Sequence, residues 1–261
     1  MTQPAALVTG AGDRLGRAMA VRLGEMGHHV AVHYASSAQG AEETVALIEA
    51  AGGKAVALQA DLLDMDQAEK LVARASDALG GPLNVLINNA SIFEHDTIET
   101  ATRTSWDRAI GSNLQAPFIL TQEFAKQAPR AVMDERGEPK AQSCVINMLD
   151  QRVRKLTPEF MTYSIAKMGL WAFTQTAARG LAPHVRVNGI GPGPTLIGGR
   201  QSEEHFAAQR AATVSGRGSN PEDIVGAMQY ILGAPALTGQ LLCVDGGQHL
   251  GWKTPDVQGV E

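Results

Sequence analysis

The sequence predicts an α/β fold in which a parallel sheet is covered by helices on both faces. Three observations carry that expectation. Short apolar runs recur along the chain, each is followed by apolar residues at helical spacing, and Gly or Pro punctuates the joints. The runs are almost wholly apolar rather than alternating, which is the pattern of strands buried on both faces.

In order, Ala5–Thr9 is the first strand, and Leu15, Met19, Leu23 and Met26 follow at helical spacing up to Gly27. Val30–Tyr34 is a second strand and Ala41–Ala51 a helix ending at Gly52-Gly53. Ala55–Leu58 is a third strand, followed by a helix from about Asp64 to Leu79 and a Gly-Gly-Pro break. Leu83–Ile87 is the fourth strand, ahead of a helix around Trp106–Gln127 and a polar, Pro-containing connection over Pro129–Gln142. Val145–Met148 is a fifth strand, Tyr163–Leu181 a long helix, Val185–Ile190 a sixth strand and Leu241–Val244 a seventh. Asn220-Pro221-Glu222-Asp223 has the form of a helix start, with a cap, Pro at the first position and acids in the first turn. Right-handed crossovers turn this order into a Rossmann-type doubly wound parallel sheet of about seven strands, which binds ligands beyond the carboxyl ends of its strands. No repeat, linker or low-complexity segment interrupts it, so residues 1–261 are expected to form a single domain.

Composition narrows the function. The chain is 44% hydrophobic and 19% charged, ample for a large core, and 22 basic against 27 acidic residues give a net charge of −5. Its most basic stretch, Arg152-Val153-Arg154-Lys155, reads as a solvated loop, so nucleic acid and anionic membrane are not expected partners. Cys144 and Cys243 sit far apart inside strand patterns and form no metal set; small hydrophobes in a reducing cytoplasm are expected, and no metal. Met-Thr-Gln-Pro enters the first strand with no basic leader, and no apolar run approaches the roughly 18 residues of a membrane span. A soluble cytoplasmic protein is expected.

Two motifs carry chemistry. Thr9-Gly10-Ala11-Gly12-Asp13-Arg14-Leu15-Gly16 joins the first strand to the first helix; its glycines permit a tight turn, and the helix N-terminus offers N–H groups to a pyrophosphate. Tyr163 and Lys167 stand four apart near a helix start and share a face. An ammonium beside a phenol stabilises phenolate and makes proton transfer practical near neutral pH.

With these in place the chain resembles the short-chain dehydrogenase/reductase family almost end to end. The resemblance is carried by Thr9-Gly10 through Gly16, Asp61-Leu62, Asn88-Asn89-Ala90, Asn113, Tyr163-x-x-x-Lys167, Pro192-Gly193, and Thr238-Gly239-Gln240 leading to Val244-Asp245-Gly246-Gly247. It implies an oxidoreductase that binds a nicotinamide cofactor through Gly10, Arg14, Leu15, Gly16, His33, Tyr34, Ser36, Ser37, Asp61, Leu62, Asn89, Ala90, Ser91, Tyr163, Lys167, Pro192 and Gly193. It also implies that Lys167 holds the nicotinamide ribose, that Asn113 supports a proton-relay water, and that four chains form a homotetramer through the long helices. An NAD site usually ends its second strand in an acid. Here His33-Tyr34-Ala35-Ser36-Ser37 has none before Glu42, and Arg14 is expected near a 2′-phosphate, so NADPH is expected.

One departure is informative. Most of the family has a serine thirteen residues before the catalytic tyrosine, and this chain has Asp150. A carboxylate facing a developing oxyanion is repulsive, whereas a carboxyl beside tyrosine suits proton delivery to a ring nitrogen. Asp150 turned away to pair with Arg152 or Arg154 is the structural alternative. Asp150, the Arg14-Leu15-Gly16 turn, His33-Tyr34 and Asn89-Ala90-Ser91-Ile92-Phe93 resemble the pteridine and dihydromonapterin (dihydrofolate-type) reductases within the family. That resemblance implies Arg14, Ser91, Phe93, Asp150 and Tyr163 as substrate contacts, with Phe93 stacked on a pterin. Thr195–Ser215 is expected to form a substrate lid. The leading expectation is NADPH-dependent reduction of a dihydropterin. A carbonyl reductase of a ketone, oxoacyl thioester or sugar is the alternative, and a non-catalytic nucleotide-sensing regulator a third.

Overall fold

Seven parallel strands form the central sheet of the computed structural model, which describes residues 3–199 and 201–254. They are β1 (Ala5–Val8), β2 (His29–Tyr34), β3 (Lys54–Gln59), β4 (Val85–Asn88), β7 (Ser143–Met148), β8 (Val185–Pro192) and β9 (Leu241–Val244). Two further short strands, β5 (Val132–Met133) and β6 (Pro139–Lys140), pair antiparallel as a small hairpin inside the polar connection. The sheet order is β3-β2-β1-β4-β7-β8-β9. Val8 registers with Val32 on one side and Ile87 on the other, so the winding reverses beside β1. A crevice opens at the carboxyl ends of β1 and β4, where such sheets bind ligands.

The apolar runs are explained by cores on both faces. Leu7 points into one layer with Leu71, Leu86, Phe124 and Val145. Ala6 and Val8 point into the other, with Met19, Leu23, Ile48, Ile146 and Met228. Helices α1 (Arg14–Glu25), α2 (Ala38–Ala50) and α8 (Pro221–Gly233) cover that second layer; α3 (Met65–Leu79), α5 (Ala116–Gln127) and α6 (Met161–Gly180) cover the first. Helix ends follow local chemistry: Asp64 Oδ1 accepts from the amides of Asp66 and Gln67, and Gly80 closes α3 in the left-handed region.

The expected helix around Trp106–Gln127 is not uniform. It comprises α4 (Arg103–Ile110), a wide π turn over Gly111–Gln115, and then α5. Pro117 lies in the first turn of α5. Proline has no N–H for the carbonyl four residues back, here Asn113, and its ring crowds that carbonyl. The wide turn relieves that conflict, with the Ala116 amide reaching back to the Gly111 carbonyl. The expected lid contains a helix, α7 (Glu203–Ala211), none of whose residues is buried; Arg200 lies outside the described residues. Among the described residues no helix is long and apolar enough to cross a membrane.

Candidate active site

The Gly-rich turn leaves β1 and packs directly against the end of β4. Gly10 has φ +61°, and a Cβ there would lie 3.0 Å from the Ala90 Cα. A Cβ on Gly16 would collide with the Gly10 carbonyl and come within 2.6 Å of Asn89 Nδ2. Glycine is required at both places. Asn89 ties the two loops together: its Nδ2 donates to the carbonyls of Thr9 (2.8 Å) and Gly10 (3.1 Å). In return the amides of Asn89 and Ala90 donate to Thr9 Oγ1. The first turn of α1 presents the amides of Leu15 and Gly16, which have no intrahelical acceptor, at the positive end of the helix dipole. Pro192-Gly193 lies across the crevice against β9, close enough that a Cβ on Gly193 would lie 2.6 Å from the Asp245 Cα.

Two residues expected at the cofactor end, His33 and Arg14, already have partners within the chain. His33 is buried, and both ring nitrogens are already engaged. The Gly10 amide donates to its Nδ1 at 3.0 Å, and its Nε2 lies 3.0 Å from the Ala60 carbonyl. These partners require the neutral Nε2–H tautomer, so His33 shapes the turn rather than facing a ligand with a free polar atom. Arg14 does not reach toward the second strand. Its guanidinium donates to the carbonyls of Ile197 (2.9 Å) and Leu196 (3.2 Å), at the start of the segment expected to form a lid, from a backbone in the left-handed region at φ +53°. Other residues expected around the cofactor lie at the end of β2. There Tyr34 is half-buried, and Ser36 and Ser37 are exposed. Ser37 is the N-cap residue of α2 but makes no side-chain capping bond, which leaves helix capping without support as its role. In the loop after β3, Asp61 Oδ1 accepts from the Leu63 amide (2.9 Å) and Leu62 is buried.

His33 also predicts a pH effect. Burial, the larger cause, pulls its pKa from 6.5 to about 4 against the opposing hydrogen bond to Ala60. Between pH 6.5 and 4 the unfolded chain holds a proton that the folded chain does not. Stability should therefore fall as pH drops through that window, by at most about 1.4 kcal/mol per pH unit from this group. Thermal melts of the wild type and His33→Asn between pH 7 and 4.5 check this: the variant should show a shallower loss.

At the reacting end, Tyr163 and Lys167 lie buried on the first turns of α6. Tyr163 Oη donates to Asp150 Oδ2 at 2.9 Å. Asp150 closes β7 and opens a short turn of 3-10 helix, its Oδ1 accepting from the Arg152 amide at 2.8 Å. The alternative of an ion pair with Arg152 or Arg154 does not occur: the backbone of Arg152, not its guanidinium, holds the carboxylate. Lys167 Nζ donates to the Met148 carbonyl at 2.7 Å and lies 5.6 Å from the Tyr163 ring centroid. Asn113 sits in the π turn, its Nδ2 donating to the carbonyls of Ile92 (2.9 Å) and Ala109 (3.1 Å). Ser91 Oγ donates to Asn113 Oδ1 at 2.6 Å.

The electrostatics differ from the expectation of a tyrosine acidified by its lysine. Burial first, then the charge of Asp150 and the hydrogen bond to it, hold the Tyr163 phenol well above its ordinary pKa. Burial also raises Asp150, against the Arg152 amide bond. Lys167 is lowered to about 8 by burial, with Asp150 opposing. Both oxygen acids therefore keep their protons to higher pH, as proton donors rather than bases.

Phe93 is not a lone aromatic platform. It stacks on Phe160 with centroids 4.3 Å apart and planes 3° apart, and meets Tyr163 edge-on at 4.7 Å. Phe160 starts α6 from the left-handed region (φ +55°) and supplies no capping side chain. Asp96 caps the helix instead: its Oδ1 accepts from the Thr162 amide (3.1 Å) and its Oδ2 from Thr162 Oγ1 (2.6 Å). This anchor is one residue from Tyr163. Neither Phe160 nor Asp96 was identified from sequence; the spacing of Phe160, three before Tyr163, was the available signal. Arg210, on α7, donates to the carbonyls of Pro194 (2.8 Å) and Ser219 (2.6 Å), tying together the two sides of the 195–215 segment.

This fold and this Tyr–Lys–Asn cluster define an oxidoreductase, and the chain belongs to the short-chain dehydrogenase family, whose sequence profile matches residues 4–206. Among solved structures it is similar to the FolM alternative dihydrofolate reductase 1 of Brucella canis, determined in complex with NADP. The two are 37% identical with a TM-score of 0.90 over 98% of each chain. It is also similar to a 3-oxoacyl-[acyl-carrier-protein] reductase of Synechocystis sp., 32% identical over 95% of this chain and 97% of that one. A third likeness is to the angucycline C-6 ketoreductase LanV with bound NADP, 29% identical, with a TM-score of 0.86 over 95% and 96% of the two chains.

Proposed function

We propose that this protein is an NADPH-dependent reductase of a dihydropterin, of the dihydromonapterin, dihydrobiopterin or dihydrofolate kind. The observation that carries the reading is the 2.9 Å hydrogen bond between Tyr163 and Asp150, which sets an ionisable carboxyl, able to pass a proton, at the reacting phenol. A protonated carboxyl behind a phenol forms a two-step proton path to a basic ring nitrogen, while its charged form opposes an alkoxide. The likeness to the Brucella enzyme supports the pterin. The likeness to the oxoacyl and angucycline reductases supports carbonyl reduction as the second reading. A regulator without turnover is disfavoured, because Tyr163, Lys167 and Asn113 are all in place.

The residues present fit NADPH. Gly10, Leu15, Gly16 and the Asn89-Ala90 loop form a close-packed cradle that side chains would fill. Bound there, NADPH supplies a hydride to the carbon of a ring C=N bond. Lys167, near the reacting cluster, holds the nicotinamide ribose, with Ser91 and Pro192-Gly193 beside it. Asp61-Leu62 flank the adenine, and Tyr34, Ser36 and Ser37 take the 2′-phosphate. Tyr163 delivers a proton to the ring nitrogen and is reprotonated through Asp150. Asn113, held in the π turn beside Ser91, supports a relay water. Arg14 and Phe93, together with Phe160, border the ring. Residues 195–215 close over it as a lid. The free thiols Cys144 and Cys243 suit a cytoplasmic enzyme. The exposed Phe118, Ile165 and Met168 of α5 and α6 suit assembly of a homotetramer through the long helices.

Steady-state assays on dihydrobiopterin, dihydromonapterin and dihydrofolate against a panel of ketones test the reading. Turnover of a dihydropterin is the expected result, and turnover confined to ketones overturns it. Preference for NADPH over NADH is expected to be at least about tenfold in kcat/KM, since no acid ends β2 and two unengaged serines follow it. Equal efficiency with both cofactors would remove the assignment of Ser36 and Ser37.

A further inference from the structure

We infer that Arg152 makes the enzyme prefer substrates whose side chain carries an anion, a carboxylate or a phosphate, over neutral ones; the inference rests on the pterin reading. Arg152 belongs to the most basic stretch of an acidic chain, and the structure separates that stretch into individual roles. Arg154 packs over Trp171, 5.6 Å from its centroid, and Lys155 Nζ donates to the Gly251 carbonyl at 3.1 Å. Arg152 lies beside the reacting cluster. Its guanidinium carbon is 4.8 Å from the Phe160 centroid and 5.9 Å from that of Phe93.

Its charge is not consumed there. Nη1 donates to Thr157 Oγ1 at 3.0 Å, and no carboxylate among the described residues forms an ion pair with it. Asp150 feels the Arg152 charge without forming an ion pair, and the direct partners of the nearby acids are other groups. Asp150 accepts from the Arg152 amide and from Tyr163, and Glu94 pairs with Arg108 at 2.8 Å. The Asp150 cap also fixes the Arg152 backbone, so one turn places both the carboxyl beside Tyr163 and the cation on the aromatic rim. A ring seated against Phe93 and Phe160 carries its side chain out past this rim. A planar guanidinium supported by aromatic faces suits two-point pairing with a carboxylate or phosphate oxygen pair.

The test compares kcat/KM for dihydrofolate, a dihydropterin phosphate ester and neutral dihydrobiopterin at saturating NADPH, with folding checked by melting and NADPH titration. The readout is the ratio of anionic to neutral substrate, in which changes common to the chemistry cancel. Arg152→Gln should lower that ratio about tenfold or more, chiefly through KM, and Arg152→Lys should keep part of it. Added salt should lower the wild-type ratio and leave that of Arg152→Gln nearly flat. A fall with only one of the two anions assigns that anion as the natural tail. An unchanged ratio in Arg152→Gln overturns the inference while leaving the pterin reading intact. If no pterin is turned over, that reading fails, and the same ratio for a keto acid and its methyl ester decides the role of Arg152.

Discussion

Tyr163→Phe is expected to lose about a hundredfold or more in turnover while NADPH binding stays nearly unchanged, the scale of losing a general acid. The substitution is conservative in shape. The ring keeps its edge-on contact with Phe93 at 4.7 Å, and only the hydroxyl that donates to Asp150 is removed. The proton is available because burial and then Asp150 hold the phenol protonated. The charge of Arg152 and a hydrogen bond with Ser91 oppose this rise, and Lys167 adds a pH limit of its own. As pH rises through about 8 its ammonium is lost, and with it the charge that steadies both a transient phenolate and the cofactor. Turnover should therefore fall on the alkaline side, and Lys167→Ala should weaken turnover and NADPH affinity together. Single-turnover rates and NADPH titrations measure both. A wild-type rate in Tyr163→Phe, with chemistry limiting, would place the proton donor elsewhere.

Asp150→Asn and Asp150→Ser are expected to lower dihydropterin reduction by about a hundredfold, again the range for a proton-transfer group, with NADPH affinity nearly constant. Asn keeps the volume and can still accept from the Arg152 amide, so loss in that variant reports the proton rather than the turn. Burial raises the Asp150 pKa, so the proton it delivers is present below that raised value and is lost as pH rises through it. That limb of the pH–rate profile should vanish in Asp150→Asn. Ser removes the charge from the oxyanion position and should raise any weak activity on simple ketones. Unchanged pterin turnover in both variants would leave Asp150 a structural cap of its 3-10 turn.

The covered parallel sheet was legible because its strands are buried on both faces: Ala6, Leu7 and Val8 are all fully buried, though they face opposite layers. The Tyr163–Lys167 pair was legible because residues four apart on a helix share a face, whereas Asp150 was placed by its family resemblance and only the fold brings it within 2.9 Å of Tyr163. Side-chain reach was not legible. Arg14 is long enough for either side of the crevice, and only the position of Leu196 and Ile197 decides between them. His33 reads as an exposed polar residue at a strand end, yet tertiary packing encloses it between Gly10 and Ala60. Phe160 carries no mark of a left-handed backbone, which Gly or Asn would have given. Arg152 was indistinguishable from Arg154 and Lys155 until the turn around Asp150 separated them.

The π turn at Gly111–Gln115 has a consequence for helix phase. Each residue of an α-helix advances the direction of its side chains by about 100°. A π turn holds one residue more than the α-helical path it replaces, so it resets the phase between α4 and α5. Within that turn, Asn113 must point toward Ser91 and Ile92; beyond it, Leu120 and Phe124 must turn toward the sheet. A regular helix meeting the second demand would swing Asn113 out of the crevice, and one meeting the first would pull Phe124 from the core. The extra residue allows a single rod to satisfy two surfaces that are out of step. Removing one residue from this turn would therefore uncouple the crevice from the core without altering a single side chain in either.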